Sequence, residues 1–179
     1  MIETLRAVHG FRFAPAEDSV FYTTAFLYAT PLALVTLVLF LWSLAPAVKG
    51  EVGRGFMAWL RLCWAVFLVP AVTGVILSLG GAKVPSSVIA SPEYQAEFCG
   101  QVSNLTRYCQ PFDSGRDPEH WMYAGFALLS LYALEVLTRT ETLPRRISLA
   151  LLPVVTLFLY GVVFMADRVS FWPGSTPGQ

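Results

Sequence analysis

Charged residues are scarce in this chain. They make up 13% of its 179 residues, whereas an average soluble domain has about 25%. Positive and negative side chains balance at 12 each, so the chain lacks the basic surface that a nucleic-acid partner requires. The scarcity is uneven, because residues 19–48, 62–82 and 147–166 carry no charge at all. An apolar stretch of about 20 residues is long enough to cross a bilayer as a helix.

Motifs of catalysis and of nucleotide binding are also missing. The sequence contains no GxGxxG, no P-loop and no CxxC, and two histidines cannot be assigned to a Ser-His-Asp arrangement. These absences favour a protein with no catalytic activity of its own. No cofactor is required by the sequence.

The long apolar runs predict four transmembrane helices, at residues 20–44, 56–79, 120–138 and 147–166. None shows the polar stripe at the 3.6-residue period that a soluble helix needs. The predicted fold is therefore all-α, a polytopic membrane protein with a four-helix transmembrane bundle.

The chain is predicted to form a single transmembrane domain over residues 1–179, with a disulfide-pinned extracytoplasmic loop between helices two and three. Its parts are an N-terminal segment at 1–19, a first helical hairpin at 20–79, a cap loop at 80–119, a second hairpin at 120–166 and a C-terminal tail at 167–179.

Basic residues in short loops predict the orientation in the membrane, because such loops stay in the cytoplasm. The loop between helices one and two carries Lys49 and Arg54, and the loop between helices three and four carries Arg139, Arg145 and Arg146. Both termini and the 80–119 loop then lie on the extracytoplasmic side of the plasma (inner) membrane.

The cysteines fit this orientation. Cys99 and Cys109 lie in the cap loop with nine residues between them, in a compartment where disulfides form. A bridge between them is predicted to stabilise the loop by about 2–4 kcal/mol. The alternative is a metal site, which needs more ligands than the nearby His120 supplies. Asn104 begins an N-x-T pattern for glycosylation, which matters only in an organism that glycosylates.

Two segments leave alternatives open. Residues 1–13 form either a short amphipathic helix on the outer membrane surface, ended by Gly10, or a frayed terminus. Pro31, Pro70 and Pro153 lie within predicted helices. They either break those helices around a transport pathway or are ordinary prolines of membrane helices.

Small residues mark one side of helix two, at Gly74 and Ser78, and one side of helix three, at Ala127 and Ser130. Small residues let helix backbones approach closely in lipid. The two stripes are expected to meet within the bundle or to face a different subunit.

Candidate site residues are few. Glu135 is the one acid well inside a predicted span, and with Arg139 and Arg61 it is predicted to form a charge cluster near the cytoplasmic surface that pins two helices together. The alternative for Glu135 is a proton or quinone role. His9 and His120 are candidate haem ligands if they converge on one site, and otherwise they are interfacial histidines in contact with water.

These observations favour a small integral membrane subunit, non-catalytic by itself, that packs with and stabilises or positions larger subunits of a membrane complex. Its expected partners are the lipid bilayer and other membrane protein subunits. The alternatives are a redox membrane protein that binds haem or quinone, and a small transporter or channel.

Overall fold

The computed structural model describes residues 2–11, 13, 30–82, 116–139 and 143–171, and within these ranges every regular element is a helix. Five helices follow in order: α1 (Ile2–His9), α2 (Pro31–Lys49), α3 (Arg54–Leu79), α4 (Arg116–Arg139) and α5 (Arg145–Phe171). Helices α2 to α5 are each long and apolar enough to cross a membrane. The prediction of a four-helix, multi-pass membrane protein is therefore confirmed, and a lipid bilayer is the environment that these helices fit.

The four long helices pack in the order α3, α2, α5, α4. Helices α2 and α3 form the first predicted hairpin, and α4 and α5 form the second. The two hairpins meet along α2 and α5, while α3 and α4 touch each other at few points. The short helix α1 packs against α3. One end of this bundle, here called the basic end, carries Lys49, Arg54, Arg145 and Arg146, and the opposite end, called the histidine end, carries His9 and His120.

The contact between α2 and α5 combines apolar packing with a pair of hydroxyls. Leu39 of α2 and Leu152 of α5 are fully buried. Between these helices, Ser43 Oγ lies 2.9 Å from Thr156 Oγ1, and both side chains are fully buried. Thr156 also donates to the Leu152 carbonyl oxygen at 2.8 Å. In a bilayer such hydroxyls need internal partners, and the bond across the helices helps to fix their register.

Helix α2 begins at Pro31, which corrects the prediction of a helix that runs through this proline. Thr30 has extended backbone angles, φ −117° and ψ 157°, and its side chain accepts a hydrogen bond from Ala33 N at 3.1 Å. Proline forces the preceding residue out of helical geometry and is well suited to the first helical position. Pro31 is thus a helix start and not a kink. Residues 20–29 lie outside the described ranges.

Pro70 and Pro153 lie inside α3 and α5, and both helices continue through them without interruption. This is the behaviour of ordinary prolines in membrane helices, in which neighbouring groups accommodate the lost backbone bond. Neither Pro70 nor Pro153 therefore breaks its helix.

Two helix ends differ from the predicted boundaries. Helix α2 continues to Lys49, where Gly50 adopts left-handed geometry (φ 78°) and donates to the Pro46 carbonyl oxygen at 3.0 Å, a common glycine stop. Helix α5 continues to Phe171, so residues 167–171 belong to the helix and not to the predicted tail. The extension carries a contact to α4, because Arg116 donates to the Val169 carbonyl oxygen at 2.6 Å.

The two stripes of small residues do not meet. Gly74 of α3 lies under the ring of His9, which belongs to α1. Ala127 and Ser130 are buried on α4, whose helix contacts are almost all with α5. Each stripe still does what small residues do in lipid, which is to let a neighbour approach closely, but the neighbours are α1 and α5.

Thr30 links the start of α2 to the end of α5 and offers a test of this end of the bundle. Its hydroxyl donates to Asp167 Oδ2 at 2.7 Å and also accepts from Ala33 N. We expect Thr30→Val to lower the free energy of unfolding by about 2–3 kcal/mol, because a helix cap and a hydrogen bond to a carboxylate are lost together. Thr30→Ser keeps both bonds and should stay close to wild type. Unfolding of the full chain by SDS in mixed micelles measures both variants, and equal stability of the two would contradict this role.

Candidate histidine site

His9 is the last residue of α1, and its side chain is held against α3. Its Nδ1 donates to the Pro70 carbonyl oxygen at 2.9 Å and lies 3.2 Å from Thr73 Oγ1. A carbonyl oxygen can only accept, so Nδ1 carries the proton and the other ring nitrogen, Nε2, is the one with a lone pair in the neutral imidazole. The acceptor is a backbone carbonyl, so the α3 backbone at position 70 contributes directly to this site.

The backbone of α3 is open to His9 because residue 74 is glycine. A Cβ atom at this position would lie 2.8 Å from His9 Cε1 and 3.3 Å from Nδ1. Thr73 lies six residues before the end of α3, a distance of about 9 Å along the helix axis. The ring of His9 is therefore packed against the body of a spanning helix, more than a turn from its end.

His120 lies in the first turns of α4 and faces His9. The two ring centroids are 6.1 Å apart, and the ring planes make an angle of 73°. The His120 ring also forms a hydrogen bond with the backbone of Ala166 in α5. The two histidines thus connect α1 and α4, on the side of the bundle where α3 and α4 have few contacts with each other.

This pair, here called the histidine site, comprises His9 and His120 together with the backbone groups of Pro70 and Ala166 that hold them. The chain contains two histidines, and both are here although 110 residues lie between them in sequence. Two imidazoles at this separation are suited to binding a metal centre from two sides or to passing a proton. Within the described ranges, no three histidine, cysteine or acidic side chains come together as a metal-binding group.

The predicted charge cluster is present only in part. Arg139 Nε lies 2.8 Å from Glu135 Oε2, an ion pair within α4 at the expected four-residue spacing. Arg61 is exposed on α3, and across the described part of the chain no ion pair joins it to Glu135. The reason is the helix order, since α3 and α4 stand at opposite ends of the row and make few contacts. The pair does not pin two helices together.

The structure describes one of the three cysteines. Cys63 is a free, fully buried cysteine whose Sγ donates to the Val35 carbonyl oxygen at 3.5 Å, and it fills space between α2 and α3. Cys99 and Cys109 lie outside the described residues, as does Asn104. Their disulfide and the glycosylation remain predictions.

Docking of α1 against α3 is the feature that sequence reasoning missed. Residues 2–9 are indeed helical and Gly10 ends the helix, donating to the Arg6 carbonyl oxygen at 3.0 Å. A helix of eight residues gives no indication of its tertiary partner. The sequence feature that pointed to a close neighbour was Gly74, a small residue on a spanning helix. Its neighbour was predicted to be the third spanning helix or another subunit.

No protein-family model, curated protein or solved structure matches this chain.

Proposed function

We propose that the protein is a small integral membrane subunit that packs against a spanning helix of a larger subunit and holds it in position. The proposal rests on one observation, the uncovered face of α3. This helix is 26 residues long and is the least buried of the four spanning helices. It contacts α2 on one side and α1 near the histidine end.

The uncovered face of α3 has the composition of a helix–helix interface in membranes. One row of its exposed residues recurs at alternating steps of four and three, and its members are small or aliphatic: Ala58, Leu62, Ala65, Val69, Val72, Ile76 and Leu79. Steps of four and three place side chains along one seam, as in left-handed helix pairs. Alanine and β-branched residues on such a seam let a second backbone approach closely in lipid.

The outward face of α4 has a different composition. Its exposed side chains include Trp121, Phe126 and Tyr132, between which lie Leu128 and Leu129. Large aromatic side chains suit contact with lipid, particularly at the membrane boundary, and they hinder close approach of helices. The contrast between the two faces supports α3 as the side that a partner covers.

Ala65→Phe tests this proposal. A ring at the centre of the seam should remove the chain from its complex, because helix backbones can no longer approach there. The full chain is extracted from native membranes in mild detergent, separated on a native gel and identified with its partners by mass spectrometry. We expect the wild-type chain to migrate with larger membrane subunits. The amount of these subunits that migrates with the variant should be at least tenfold lower.

The matched control is Ala150→Phe, the same change at an exposed position of α5. It should leave the association unchanged. Migration of the wild-type chain alone, or only as a homo-oligomer, contradicts the proposed function, as does equal loss of partners in both variants.

The orientation and the cap belong to the same proposal. We place the histidine end, both termini and the 80–119 loop on the extracytoplasmic side of the plasma membrane, with a disulfide between Cys99 and Cys109. The support is the arginine and lysine content of the short loops at the basic end and the pairing of two cysteines in an oxidising compartment. An impermeant maleimide applied to intact cells before and after reduction should label the chain only after reduction. Labelling without reduction contradicts the disulfide.

A further inference from the structure

We propose that His9 and His120 are the two axial ligands of a haem iron. Three features of the histidine site carry the proposal: the separation of the rings, the groups that hold them, and the number of ligands available. The proposal goes beyond the function given above and does not depend on it, since a subunit of a complex and an isolated protein can each hold haem.

The separation of the rings matches two imidazoles on one metal atom. An imidazole nitrogen binds a first-row metal at about 2.0–2.1 Å, which puts the ring centroid about 3.2 Å from the metal. Two such rings on opposite sides of the metal have centroids about 6.4 Å apart by the same geometry. The observed separation is 6.1 Å with an interplanar angle of 73°, so ligation requires little change in the distance between the rings.

Both rings are held as metal-binding histidines are held. Such histidines almost always give their second ring N–H to a carbonyl or carboxylate, which fixes the ring and its tautomer. His9 donates through Nδ1 to the Pro70 carbonyl oxygen, and His120 is bonded to the backbone of Ala166. The acceptors belong to α3 and α5, so the two spanning helices fix the positions of the two rings.

The number of protein ligands among the described residues suits haem better than a bare ion. A structural zinc ion takes four protein ligands, whereas within the described ranges no third histidine, cysteine or acidic side chain joins the pair. Haem iron requires only one or two axial ligands from the protein, because the porphyrin fills the other four positions. Two histidines from different helices are sufficient for it.

The position of the site also suits the two ends of a haem molecule. The macrocycle is apolar, and the site lies between spanning helices on the side where α3 and α4 have few contacts with each other. Haem propionates are carboxylates, for which arginine is the preferred partner. Arg6 lies three residues before His9 on α1, and Arg116 lies four residues before His120 on α4. One helical turn therefore separates each imidazole from a guanidinium near the histidine end.

Titration of the purified full chain with haemin in mild detergent tests the proposal. We expect a shifted Soret band that saturates at one haem per chain, with the spectrum of a six-coordinate, low-spin iron. His9→Ala and His120→Ala should each weaken haem binding at least tenfold. The control is Trp121→Leu, a change at the neighbouring exposed position of the same helix, which should bind haem as wild type does.

A second variant separates loss of ligation from loss of folding. His120→Met supplies a different axial ligand, so haem should remain bound while its reduction potential rises. Three results would overturn the proposal: no Soret shift in the wild-type chain, equal haem binding by wild type and by the double alanine variant, or binding of copper or zinc alone through both histidines with no binding of haemin. None of these results bears on association with larger subunits, so the two proposals fail separately.

Discussion

Replacement of Gly74 by leucine will release α1 from α3 and separate His9 from His120. Even a single methyl group at this position would lie 2.8 Å from His9 Cε1, closer than nonbonded carbon atoms approach each other. A leucine side chain fills the space of the ring, and His9 loses its bonds to Pro70 and Thr73. These polar contacts anchor the end of α1 to α3, so their loss loosens the helix that carries His9.

Hydrogen exchange of the full chain in detergent, read by mass spectrometry, measures the result. We expect backbone amides of residues 4–10 to exchange at least tenfold faster in Gly74→Leu than in wild type, while α2 and α5 remain protected. Gly125→Leu is the matched control, since a Cβ atom at that position meets nothing within 4 Å. It should keep wild-type exchange and gain slightly in stability from better helix propensity. Unchanged exchange of α1 in Gly74→Leu would contradict the docking described here.

Ser43→Phe will separate the two hairpins. Ser43 is fully buried at the contact of α2 with α5, and these two helices provide most of the contact between the first hairpin and the second. A phenyl ring cannot enter without moving one helix away from the other, and overpacking of this kind typically costs about 1–3 kcal/mol. The bond to Thr156 is lost as well, which adds about 0.6 kcal/mol for a hydroxyl contact in a membrane protein. We expect a loss of about 3 kcal/mol in the free energy of unfolding.

Two neighbouring variants make this result specific. Leu44→Phe adds bulk at the next residue, which points outward and is 47% exposed, so its stability should stay within about 0.5 kcal/mol of wild type. Ser43→Ala removes only the hydroxyl and should cost about 0.6 kcal/mol. Unfolding by SDS in mixed micelles gives all three values. Equal stability of the two phenylalanine variants would contradict the helix order.

The four spanning helices could be predicted from the sequence because lipid imposes a simple requirement. A helix that faces lipid must be apolar over about 20 residues, and charge is therefore absent from it. The ends of the helices were harder to predict. Residues 20–30 carry no charge, and α2 carries none over most of its length, so the charge-free run alone could not place the helix start at Pro31. The local rule that a proline favours the first helical position, with a threonine cap before it, was sufficient to find that start.

The neighbours of each helix could not be predicted in the same way. Apolar helices in lipid have no hydrophobic preference for one partner over another, and packing of small residues decides. Gly74 and the Ala127 stripe were recognised as packing surfaces, but each pairs with a different helix than expected. The predicted cluster of Arg61 with Glu135 fails to form for the same reason, because it required α3 and α4 to be close neighbours.

The histidine site could be predicted from the sequence only in part. Its members were candidates from the sequence because the chain has only two histidines. Their convergence depends on a contact between the first ten residues and the middle of the chain, and no local pattern encodes a contact across that separation. Three local features hold α1 once it is docked: Gly10 ends α1 directly after His9, Gly74 opens the surface of α3, and the Pro70 carbonyl accepts from the ring.

The contact between His9 and His120 joins α1 to α4, and solid-state NMR can detect it. Labelling with ¹³C,¹⁵N-histidine gives a chain with two labelled residues, so a cross-peak between their rings in reconstituted bilayers can arise from one pair only. Dilution with unlabelled chain removes contacts between molecules. We expect a cross-peak that survives dilution, in keeping with centroids 6.1 Å apart. Two strong histidine signals with no cross-peak between them at any mixing time would contradict it.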